Sequence, residues 1–152
     1  MSSFTRIQLE DYLKTIDVKA NRVLDVGGSQ NSIKGRTKSW DVKEYKILDL
    51  ETPHECKQKP DIVGDLNKVA LGRDYYINLY EYFDTAFCLE VSEYWWNPFI
   101  ALDNIKWLLK KDGILYLSTH FLYPVHNPVV DDYLRYTPRG ITKLLEETVK
   151  VR

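Results

Sequence analysis

Three aspartates stand where short apolar runs stop. Asp25 sits in Val23-Leu24-Asp25-Val26-Gly27-Gly28, Asp49 closes the run from Tyr45 to Leu50, and Asp65 follows Asp61-Ile62-Val63-Gly64. An acid at the end of the second of two such runs can accept hydrogen bonds from the hydroxyls of a ribose. Gly27 permits a tight turn and lets a ligand approach the backbone. The chemistry these residues offer is ligand binding. Past the strongest apolar run come His120 and His126. Either could act as a general base for a hydroxyl or amine acceptor, and either could equally be a loop histidine bonded to a carbonyl. The pair Asp131-Asp132 beside His126 has the donors for a divalent cation but reads more simply as a solvated loop, and Cys56 and Cys88 lack metal-ligand spacing, so no metal is expected.

Five segments must position these residues. Short strands are expected at Arg22–Val26, Tyr45–Leu50, Asp61–Gly64, Phe83–Leu89 and Gly113–Thr119. Runs such as Ile114-Leu115-Tyr116-Leu117 suit strands covered on both faces. An amphipathic helix is expected over 4–19, with Phe4, Ile7, Tyr12, Leu13 and Ile16 on its apolar side. Asn97-Pro98 and Thr137-Pro138 are helix starts. Ile100, Ile105, Leu108 and Leu109 give the first of these helices its apolar face, with Lys110 and Lys111 at its carboxyl end. Alternating strands and helices predict an α/β, Rossmann-like, doubly wound and mainly parallel sheet of about five strands with helices on both faces. In such a sheet ligands bind beyond the carboxyl ends of the strands, where all three aspartates fall.

The chain has 152 residues, the size of one domain. It is expected to divide into an N-terminal helix at 1–20, a core at 21–147 and a tail or short strand at 148–152. With 22 acids against 21 bases the net charge is −1, which excludes a binder of nucleic acid that works by bulk phosphate attraction. No apolar run approaches the ~18 residues of a membrane span. Two cysteines, no signal-like segment and no disulfide framework point to a cytoplasmic setting.

Taken in order, these segments resemble the class I S-adenosylmethionine-dependent methyltransferases, over about Val23 to Glu147. The resemblance rests on Val23-Leu24-Asp25-Val26-Gly27, Ile47-Leu48-Asp49, Asp61 to Leu66, Phe83-Asp84 to Leu89-Glu90-Val91, and Leu108 to Leu115. The stretch Ser118 to Pro124, with Asp132-Tyr133-Leu134-Arg135-Tyr136-Thr137-Pro138, is similar to a subgroup acting on small molecules or sugars. The resemblance implies S-adenosylmethionine as cofactor. It implies that Asp25, Gly27 and Gly28 cradle its methionine part, that Asp49 binds the ribose, and that Asp65 and the Leu66 amide meet the adenine. Leu89 and Glu90 would line cofactor and acceptor. Glu93 and Tyr94 fall where the family often carries a Glu-His pair, which makes Glu93 a catalytic candidate beside His120.

Three departures accompany the resemblance. The second and third glycines of the family's loop are Ser29 and Asn31. The segment Ser32–Glu44 is too polar for the first crossover helix. The chain also lacks room for the family's last two strands, so it reads as shortened at the carboxyl end, with a homodimer or another partner covering the fifth-strand edge. A nicotinamide-binding loop would need glycines at Ser29 and Ser32. The expected function is methyl transfer to a small-molecule or sugar-type acceptor. The alternative is a methyltransferase-like binding or assembly module without catalysis, distinguished by whether the cleft is open or filled by side chains.

Overall fold

The computed structural model describes residues 4–72, 74, 76–126 and 128–150. Five strands, β1 (Asp17–Val26), β2 (Ser39–Asp49), β3 (Ile62–Val63), β4 (Phe83–Leu89) and β5 (Leu109–Ser118), form one parallel sheet in the order β3-β2-β1-β4-β5. The order reverses at β1, so the crevice outside its carboxyl end is where this topology places a ligand. Strand neighbours alternate between two cores. Leu24, Val26, Ala86 and Cys88 face one side; Val23 and Phe87 face the other.

Helix α2 (Pro98–Leu108) and helix α3 (Pro138–Lys150) cover the first side through Ala101, Leu102, Ile105, Leu108 and Leu144. The start signal at Asn97-Pro98 holds: the Asn97 side chain accepts from the Ile100 amide at 3.3 Å, and Pro98 opens the helix. Helix α1 (Phe4–Leu13) covers the second side through Leu9 and Leu13. Helices therefore lie on both faces, as the alternation predicts. Among the described residues no helix is long and apolar enough to cross a membrane.

Several boundaries differ from the sequence reading. The first helix stops at Leu13, and Asp17–Ala20, expected within it, belong to β1 because they pair with Ser39–Val42. Its apolar contacts are Leu9 and Leu13, leaving Phe4, Ile7 and Tyr12 exposed. Leu109–Asp112, expected to finish α2, are already strand: Leu109 pairs with Phe83, and a bulge before Ile114 absorbs the intervening residues. Residues 148–150, expected as a tail or strand, continue α3, since no turn residue separates them from Glu147; residues 151 and 152 lie outside the described residues. Strand β3 is only Ile62–Val63, but Asp61 extends the pairing: its amide donates to the Ile47 carbonyl and its carboxylate accepts from the Ile47 amide.

The polar segment after β1 forms no helix. Residues 27–38 cross as a loop, and buried Ile33 takes the place of a helix's apolar face by packing among Leu13, Val23 and Phe87. Arg36 fixes this loop to α1 through Glu10 at 2.6 Å.

A side chain from α2 anchors the loop after β3. Buried Asn104 donates to the Leu66 carbonyl at 3.0 Å and the Lys68 carbonyl at 2.9 Å. Asn104→Ala strands both acceptors, so it is expected to cost about 2–3 kcal/mol in urea unfolding. A loss below about 0.5 kcal/mol contradicts this anchoring.

Candidate functional site

The carboxyl ends of β1, β2 and β3 and the segment after β4 enclose a cavity of ≈ 480 Å³. Small-molecule sites commonly span about 300–1,000 Å³. Its walls include Gly27, Asp49, Asp65, Leu66 and Glu90, five of the residues singled out from the sequence. The cleft is thus open, not filled by side chains.

Asp49 ends β2 with its carboxylate at the cavity. Its Oδ2 accepts from the Ser29 amide at 3.2 Å and its Oδ1 from the Leu50 amide at 2.8 Å. A carboxylate has about four acceptor positions, so two remain for ligand hydroxyls. Asp65 accepts from the Asn67 amide at 2.9 Å, and Asn67 in turn bonds the Tyr94 carbonyl and the Trp96 amide. That turn fixes Asp65 at the cavity wall. These residues fit an adenosyl group: two partly satisfied acids, Asp49 and Asp65, and an apolar wall of Val26, Leu48, Leu50 and Val91.

Gly27 has φ +74°, and a Cβ there would meet Val91 Cγ2 at 2.4 Å, so only glycine fits between β1 and the segment after β4. Gly28 is held for a different reason. A Cβ there would stand 2.4 Å from Asp25 Oδ2. The Asp25 carboxylate is turned under the loop and only 3% of the residue is exposed. It accepts from the Ile33 amide at 2.8 Å and the Tyr45 hydroxyl at 2.6 Å, and does not line the cavity. Asp25 and Gly28 therefore shape the loop from beneath.

Ser29, at the second glycine position, is fully buried. Its carbonyl accepts from the Lys57 and Gln58 amides at 2.9 and 3.0 Å, which fastens the 53–58 segment beside the cavity. Leu89 packs into the second core and is not at the cavity wall. Glu90 is at the wall, with φ +56°, a left-handed backbone unusual for this residue type. Its amide donates to Ser118 Oγ at 2.9 Å and its carboxylate pairs with Arg6 of α1. Burial holds the Glu90 carboxyl above its usual pKa, against the opposing pull of Arg6.

Glu93 and His120 come together, Oε1 to Nε2 at 3.2 Å, but neither reaches the cavity wall. His120 is 5% exposed and Glu93 1%. His120 Nε2 also lies 3.8 Å from Glu90 Oε1, directly behind the wall. His126 stands with them, 3.7 Å from Glu93 Oε1. Trp95 is core while Trp96 is exposed at the cavity mouth. The pair Asp131-Asp132 divides: Asp131 is exposed and lines the cavity, whereas Asp132 is held by Arg135, which keeps its carboxyl down at about 2.

Sequence reading missed Arg6, Asn67, Tyr94 and Val91 as site residues. The Asp65-x-Asn67 turn carried a usable signal, since Asx residues bond their own backbone two positions on. Arg6 carried none, because only the packing of α1 brings it to Glu90.

No protein-family model matches the sequence, and a search of curated protein sequences finds no match. Solved structures do match in fold. A Haloferax volcanii protein described as a methyltransferase, in complex with the Trm112 methyltransferase activator, is 14% identical, with 95% of this chain and 71% of that chain covered and a TM-score of 0.65. A Bacillus halodurans protein described as a methyltransferase gives 16%, 95%, 68% and 0.62. A SAM-dependent methyltransferase from Archaeoglobus fulgidus gives 18%, 95%, 66% and 0.56. At these identities the likeness is one of fold: the chain has the Rossmann-like α/β sheet of methyltransferases.

Burial raises the Asp25 carboxyl from 3.8 to about 6, against the Tyr45 and Ile33 hydrogen bonds, which favour the charged form. In that window the folded chain binds the proton more tightly than the unfolded chain, so this residue's contribution to stability falls as pH rises and stays low above it. Asp25→Asn keeps an acceptor for both donors and cannot ionise. Its stability relative to wild type is expected to rise by up to about 3 kcal/mol between about pH 4 and pH 7. Urea unfolding across that range checks this, and a pH-independent difference contradicts it.

Proposed function

We propose that the chain binds S-adenosylmethionine in this cavity and transfers its methyl group to a small-molecule or sugar-type acceptor. One observation carries the reading. Asp49 and Asp65, on separate strand ends, face a single cavity beside Gly27 at the switch point of a methyltransferase-type sheet. Asp49 would accept from the ribose hydroxyls, Asp65 from the adenine amino group, and Gly27 gives the backbone room for the methionine end.

When bound, the cofactor supplies an electrophilic methyl group and its own leaving group. The protein's part is to orient the acceptor, exclude water and take a proton. Glu90 is suited to the last task, being a wall residue whose burial strengthens its hold on a proton. Arg6 holds its carboxylate in place, while His120 and Glu93 stand behind it as positioning groups. Exposed Trp96 and Tyr133 at the mouth offer rings for an acceptor to stack on. The same reading places the chain in the cytoplasm, with Cys56 and Cys88 as free thiols, and lets a second copy or another partner cover β5, where Ile114 is exposed at the sheet edge.

Calorimetric titration with S-adenosylmethionine and S-adenosylhomocysteine tests this. Micromolar binding is expected, and Asp49→Ala should weaken it by about 1–3 kcal/mol, or about 5- to 150-fold. No binding up to millimolar ligand, or equal affinity in the variant, contradicts the reading.

A further inference from the structure

Behind the cavity wall, the segment after β4 brings Glu93 against His120 and His126 of the segment after β5. Each offers one ligand atom, and the three atoms all lie within 4.8 Å of one another. Glu93 Oε1 is 3.2 Å from His120 Nε2 and 3.7 Å from His126 Nε2. Ligands held about 2.0–2.2 Å from a tetrahedral cation stand about 3.3–3.6 Å apart, so the two separations bracket that spacing.

The charge balance points the same way. Both Glu93 carboxylate oxygens are buried and have no hydrogen-bond partner among the described residues. A carboxylate so placed is costly unless a cation stands against it. No lysine or arginine pairs with it among the described residues; its ionic neighbours are the two imidazoles.

The surroundings are those of a supported ligand set. His126 Nδ1 is 3.3 Å from Asp132 Oδ2, and the His126 amide donates to the same oxygen at 3.0 Å. Arg135 grips both oxygens of Asp132. His126 Nδ1 makes no hydrogen bond among the described residues, so Asp132 acts on the ring as a neighbouring charge; a carboxylate beside one ring nitrogen with a metal on the other is the usual outer arrangement of metal-binding histidines. His120 is fixed by stacking on Tyr123, with ring centroids 4.4 Å apart. The Glu93 carbonyl takes the Tyr133 and Leu134 amides, and the His120 carbonyl takes the Tyr136 amide, so the loops carrying the three residues are tied to one another by backbone bonds. Tyr94, a cavity residue, brings its hydroxyl to 3.1 Å from His126 Nε2, which sets the cluster directly against the cavity.

We propose that Glu93, His120 and His126 bind one divalent cation of the zinc class. Two imidazoles and one carboxylate suit Zn²⁺ and its neighbours over Mg²⁺, which demands oxygen ligands. The site uses none of the residues assigned to the adenosyl group. It would clamp the segment after β4 to the segment after β5 and hold the backing of Glu90 in place.

The test is calorimetric titration of the full chain, freed of metal by a chelator, with Zn²⁺ and no S-adenosylmethionine present. Its outcome is therefore separate from the cofactor reading. One Zn²⁺ per chain is expected in the micromolar range or tighter, with no comparable binding of Mg²⁺. Asp132→Asn should weaken binding about 10–100-fold, and His126→Ala by at least as much. His126 is half-buried in a loop, so its variant should keep the wild-type circular dichroism, and His54→Ala with Cys56→Ser should leave binding unchanged. Co²⁺ in place of Zn²⁺ should show visible bands in wild type that His126→Ala loses. No saturable Zn²⁺ binding overturns the proposal and makes the cluster a proton-sharing network. Equal affinity in folded His126→Ala overturns it as well.

Discussion

A single buried carboxylate sets the shape of the ligand-binding end of this sheet. Asp25 reaches from β1 beneath the turn that follows it and takes the Ile33 amide and the Tyr45 hydroxyl. Those bonds join β1, the loop across to β2, and β2 itself. Gly28 must be glycine because the carboxylate occupies the space of its Cβ, and Ile33 is brought down onto the second core in place of a crossover helix. Burying the charge costs free energy, and the carboxyl pKa is raised because that cost outweighs the Tyr45 and Ile33 hydrogen bonds. What it secures is a rigid turn in a chain that lacks the loop's usual glycines.

Around that turn the site is assembled by parallel pairing. Because every strand runs the same way, Gly27, Asp49, Asp65 and Glu90 all emerge at one edge of the sheet. The loops then fasten to one another. Ser29 holds Asp49 and the 57–58 backbone, Asn104 holds the segment after β3, and Arg6 brings α1 onto Glu90. The open cavity is the space those fastenings leave.

The five-stranded parallel sheet and the strand-end positions of Asp49 and Asp65 were legible because an acid at a strand end is a local signal and parallel pairing follows from alternation. The missing crossover helix was legible too, from the polarity of residues 32–44. Asp25 was read as a ligand-facing residue, since nothing in its neighbours announces that Tyr45, on another strand, would claim its carboxylate. Helix α1 misled for a related reason. Its periodicity shows an apolar side, but only Leu9 and Leu13 pack into the core, which leaves Phe4 and Ile7 in solvent. The Glu93–His120–His126 cluster could not be assembled from spacing, because Glu93 follows β4 while His120 and His126 follow β5, and the two segments meet only in the folded chain. Each was visible singly; the juxtaposition was not.

If the strand-end cavity is the adenosyl site, ligand protects it, and if the loop over Asp25 is preformed, its amides are protected without ligand. Amide hydrogen exchange with and without S-adenosylhomocysteine addresses both parts at once. The account predicts slow exchange at Ile33 in the free chain, and ligand-induced slowing confined to residues 27–30, 49–50, 64–67 and 90–96. Protection elsewhere on the sheet, or none, would contradict the site; fast exchange at Ile33 in the free chain would contradict the preformed loop.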